Sequence, residues 1–98
     1  MDIFKGLTGN LAVLRLLVVR QRDYSNPQVQ QKFDTINRLF FERASHLSIQ
    51  HKVALADYIN ETIDKFEYLR DFEEETQGGK ENIEVLIEKL HQIKVALQ

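Results

Sequence analysis

At 98 residues, with 43% apolar and 29% charged side chains, the chain can bury one core and is too apolar to stay disordered throughout. It has no cysteine, which excludes disulfides, thiolate metal sites and a cysteine nucleophile. The formal net charge of −2 hides an asymmetry: residues 1–47 carry seven Lys/Arg against four Asp/Glu, and residues 48–98 carry six against eleven. Halves of opposite sign attract each other when folded back, or pair head-to-tail between copies.

The first element is a helix over about 3–22, from Ile3, Leu7, Leu11, Leu14 and Val18 at spacings of four, four, three and four. Gly6 and Gly9 oppose it, at about 1 kcal/mol each relative to alanine; a turn at Gly9-Asn10 is the alternative. Residues 11–19 are apolar nearly all round, because Ala12, Val13, Leu16 and Val19 point away from the main stripe. Such a helix is buried on several sides or sits at a subunit contact. The β-branched content also permits a short strand, but no second strand candidate exists to pair with it.

Tyr24-Ser25-Asn26-Pro27 is the sharpest punctuation in the chain. Proline suits the first position of a helix and Asn26 its N-cap. The second helix is predicted over about 27–45, with Val29, Phe33, Ile36, Phe40 and Ala44 as its stripe and Leu39 and Phe41 on either side. Ser48 caps a third helix over about 49–74. Its stripe reads Ile49, Val53, Ala56, Ile59, Ile63 and Phe66, flanked by Leu55 and Leu69. Three glutamates and Gly78-Gly79 end it and form the loop expected to move most. The last helix, about 81–97, has the clearest stripe: Ile83, Leu86, Ile87, Leu90, Ile93 and Leu97.

These elements predict a single all-α domain over residues 1–98, a small antiparallel four-helix bundle, because short connections make sequential helices antiparallel neighbours. No stretch is long enough to span a membrane. The longest apolar run, Leu11 to Val19, is nine residues interrupted by Arg15, against about 20 needed. Arg20-Gln21-Arg22 follows it where a signal peptide would have a small-residue cleavage site, so a cytoplasmic protein is expected.

Chemistry-bearing constellations are few. Glu88-x-x-His91, with Glu84 one turn earlier, is half of a di-metal bundle's ligand set. The other half is missing, and the group falls off the aliphatic stripe, so no metal and no cofactor is expected. His46 and His51 straddle a helix start and suit capping or surface roles. No nucleophile elbow, phosphate loop or HExxH occurs, so the chain is not read as an enzyme. Arg15, Arg20 and Arg22 are the alternative, a nucleic-acid-associated regulator, but their footprint is small on an acidic chain.

Tyr58, Tyr68 and Phe72 lie off the predicted stripe of the third helix, with Lys65 among them, and Phe41 is similarly placed on the second. Tyrosine brings contact area with a polar tip and is enriched at interfaces. Packing of the third helix on two sides within one chain would also account for these aromatics. The function predicted is a small protein–protein interaction module, of the adaptor, chaperone, immunity or regulatory kind, that self-associates as a dimer. Its predicted contact residues are Tyr58, Tyr68, Phe72, Phe41 and Lys65.

Overall fold

The computed structural model of the chain describes residues 2–20, 27–72 and 79–97, without the side chains of Arg20, Phe72 and residues 79–81. Asp2 opens the first helix, α1 (Ile3–Arg15). Its Oδ1 accepts from the backbone N–H of Phe4 at 3.0 Å and of Lys5 at 3.4 Å. The helix runs through both glycines without the alternative turn. Leu7 and Leu11, one on each side of Gly9, are fully buried, and that burial outweighs the propensity cost of glycine. A π-helical turn, Leu16–Arg20, continues it. The widened turn buries both Leu17 and Val18 and leaves Leu16 exposed.

Pro27 starts α2 (Pro27–Arg43), and a 3₁₀ turn, Ala44–His46, closes it. Asn26 and the Glu73–Gly78 loop lie outside the described residues. Ser48 caps α3 (Ile49–Phe72): its Oγ accepts from the His51 N–H at 3.0 Å. The last helix, α4, spans Gly79–Leu97.

Contacts at helix ends fix the directions. A Cβ built on Gly6 would lie 3.8 Å from Leu39 Cδ1, so the start of α1 meets the end of α2. Arg70, near the end of α3, pairs with Glu84, near the start of α4. Both pairs are antiparallel hairpins. The hairpins join mainly through α1 and α3, which run in the same direction. Phe4 stacks on His51 at one end, with ring centroids 4.4 Å apart, and Arg15 sits over Tyr58 further along. Although consecutive, α2 and α3 keep their backbones apart; α3 packs on α4 and α1. Lys89 ties α4 to α2, donating to Gln30 Oε1 at 3.0 Å.

The predicted stripes of α1, α2 and α4 are the observed core, with Ala44 and Leu97 at its half-buried edges. The stripe of α3 differs. Leu55, Ile59, Ile63, Phe66 and Leu69 are buried, together with Thr62, whose Oγ1 donates to the Tyr58 carbonyl at 2.9 Å. Ile49 and Val53, predicted as core, are exposed. The radius of gyration, 13.2 Å, is close to the roughly 13 Å of a folded chain of about 100 residues.

Candidate protein-binding surface

Two apolar stripes run along α3. One, Leu55, Ile59, Thr62, Phe66 and Leu69, faces the core. The other, Ile49, Val53, Ala56 and Asn60, lies roughly 130° round the helix at about 100° per residue. This second stripe meets Lys94 and Leu97 near the end of α4. Together with Lys52 these residues line an open groove of about 400 Å³. Ile49 is 81% exposed and Val53 59%, and Val95, next to Lys94 in sequence, is also exposed. The sequence carried the signal as two competing spacings on one helix. Continued towards the N-terminus, the core stripe reaches the polar residues Ser48, His51 and Lys52.

The groove is positively charged at its rim, although it belongs to the acidic half of the chain. Lys52 and Lys94 both border it. Among the described residues neither has a carboxylate within salt-bridge distance. On the outer flank of the same helix Asp57, Glu61 and Asp64 are exposed. The apolar stripe is therefore bordered by cations on one side and anions on the other.

Of the predicted contact residues, Tyr58, Lys65 and Tyr68 share one side of α3 at spacings of seven and three, and Phe41 lies on α2. Tyr58 is half-buried against the core, and the Arg15 guanidinium lies 4.8 Å from its ring centroid. Lys65 lies on the same α1–α3 seam, in a shallow groove of about 230 Å³ lined also by Ala12, Arg15, Leu16 and Val19. The structure thus brings Tyr58, Lys65 and Arg15 together, but around a contact made within one chain. Tyr68 is 62% exposed, ten residues further along α3. Phe41 is 63% exposed on α2, its ring set edge-on to Phe40 at 5.1 Å. The side chain of Phe72 lies outside the described residues.

Of the three arginines in the nucleic-acid alternative, Arg15 is held over Tyr58. The side chain of Arg20 and all of Arg22 fall outside the described residues. Glu84 is engaged by Arg70, while Glu88 and His91 are exposed. Among the described residues no three His, Asp or Glu side chains gather to hold a metal ion. Asp2, Ile3, Arg43, His46 and His51 line a cleft where α1 and α3 begin, and the nearest aromatic contact there is the Phe4–His51 stack. No helix among the described residues is long and apolar enough to cross a membrane.

No known protein family matches the chain, and no curated protein or solved structure is significantly similar to it.

Proposed function

We propose that the protein is a small helical protein-interaction module that works by burying the open end of its α3–α4 hairpin against another chain, and that it self-associates. One observation carries this reading. The core of α3 is complete without Ile49 and Val53, yet these two large aliphatic side chains stay in water beside Ala56 and Leu97. Isolated exposed hydrophobes are ordinary, but contiguous ones bordering a groove mark interaction sites. The bordering charges orient the encounter and set its rate. No catalytic role, metal or cofactor is part of the proposal. A cytoplasmic setting is, in keeping with a chain that has no cysteine.

Sedimentation velocity over micromolar concentrations tests it. The wild type should associate as its concentration rises. The double variant Ile49→Asp, Val53→Asp should sediment as a monomer with its helical circular dichroism unchanged, because both positions are exposed. A wild-type chain that stays monomeric throughout that range removes the basis of the proposal.

A further inference from the structure

We infer that the occupant of the α3–α4 groove is a second copy of this chain, docked with its α3 parallel to the first and related by a two-fold axis along the helices. This rests on the protein-interaction reading above and adds the partner and its orientation. The exposed stripe Ile49, Val53, Ala56, Asn60 is spaced four, three, four. That is the seam spacing of a two-stranded coiled coil. Beyond Asn60 the next seam position, Ile63, is buried within its own chain, so the seam is short, about 17 Å at 1.5 Å per residue.

Charge selects the orientation. Lys52 lies on the α4 side of the seam, where Lys94 joins it, and Asp57 and Asp64 lie on the other side. When two identical helices pack antiparallel across a two-fold axis, each flank meets the same flank of its copy. Lysine would then face lysine, and carboxylate would face carboxylate. When they pack parallel, each flank meets the opposite one, and Lys52 and Lys94 of one copy lie beside Asp57 of the other. Both symmetric sites are satisfied at once, as a self-complementary interface requires. Like charges placed opposite each other disfavour the antiparallel form.

Asn60 agrees with this choice. It is the polar residue of an otherwise apolar seam, half-buried, and its amide makes no hydrogen bond among the described residues. A lone Asn at such a position fixes register and favours two strands, because each amide pairs with its copy. In the parallel arrangement Asn60 meets Asn60; in an antiparallel one it meets the aliphatic end of the stripe.

Because the chain has no cysteine, introduced thiols report the geometry cleanly. Val53→Cys, Ala56→Cys and Asn60→Cys are made singly, oxidised mildly at micromolar protein and read on non-reducing gels. Parallel pairing in register predicts a covalent dimer from each of the three, and none from Glu61→Cys on the flank. Dimer from one stripe position alone, or from Glu61→Cys as readily, overturns the inference. Sedimentation velocity gives a second measure. Lys52→Asp should weaken association roughly tenfold or more, and adding Asp57→Lys should restore it to within about threefold. A double swap that stays weak also overturns it. If Ile49→Asp, Val53→Asp abolishes association but the thiols cross-link at one position only, the parallel dimer falls and the protein-interaction reading stands. A wild type that never associates overturns both.

Discussion

The core stripe of α3 is buried at both ends of the α3–α4 hairpin, and the ends differ in what lies beside it. At the closed end Phe66 and Leu69 are buried and Arg70 reaches across to Glu84. At the open end Ile49 and Val53 lie in water, and two lysines border the gap without carboxylate partners among the described residues. Apolar content alone does not decide which end seals. A side chain is buried when a neighbouring helix fills the space against it, and here α1 and α4 cover one arc of α3 and leave the next bare.

The largest expected effect separates these two ends directly. Phe66→Ala removes a fully buried ring and should destabilise the fold by about 3–5 kcal/mol, through lost transfer energy and the cavity left behind. Val53→Ala, at the open end, should cost no more than about 0.5 kcal/mol. Urea unfolding followed by circular dichroism, at protein concentrations low enough to prevent association, measures both. A Val53→Ala cost comparable to that of Phe66→Ala would show that the open end is sealed within one copy.

The α1–α3 seam gives an intermediate case, where a residue predicted for a partner is partly covered by its own chain. Tyr58→Leu keeps an apolar body but loses the ring beneath Arg15. That contact should contribute about 0.5–1 kcal/mol, read as the coupling energy in a double-mutant cycle with Arg15→Met. Zero coupling would reduce the seam to plain packing.

Most of the fold was legible in the sequence because α2 and α4 carry one stripe each and the first helix keeps a regular one from Ile3 to Val18. Ile83 to Leu97 on α4 and Val29 to Phe40 on α2 leave one reading of which side faces in, while Ile3 to Leu14 on α1, continued by Val18 in the π-helical turn, marks the inward side of a segment that is apolar nearly all round over residues 11–19. α3 was harder, because Ile49–Val53–Ala56 and Leu55–Ile59–Phe66 are both at helical spacing. The choice between them depends on which arc the neighbouring helices cover, and spacing along one helix carries no information on that. For the same reason the candidate surface was only half visible. The idea of surplus apolar area on α3 came from the sequence, which points to Tyr58, Lys65, Tyr68 and Phe72 on α3 and Phe41 on α2 and reads Ile49 and Val53 as core; Tyr58 and Lys65 lie towards α1, while Tyr68 and Phe41 are exposed. The partnership of α3 with α1, and the separation of α3 from α2, are tertiary choices that short connections do not dictate.

The smallest effect is expected at the latch of the closed end. Arg70 bonds Asp71 at 2.9 Å, lies 3.6 Å from Glu67 and pairs with Glu84. Its guanidinium is held above its ordinary value, first by the Asp71 hydrogen bond and then by that to Glu84. A cation whose folded value is raised contributes stability that is fully present below the unfolded value and is lost only as pH climbs through the folded one. For arginine both lie far above the range in which proteins are handled, so its titration adds no slope to stability between about pH 5 and 9. The contribution is instead sensitive to salt, because these groups sit at the surface where ions screen them. Arg70→Gln should lower the unfolding midpoint slightly in low salt and not measurably at about 1 M salt, and Glu84→Gln made with it should add little. If Arg70→Gln also raised the exposure of the closed end, seen as faster amide exchange over residues 66–70, the ion pairs rather than Phe66 and Leu69 would be what distinguishes that end from the open one.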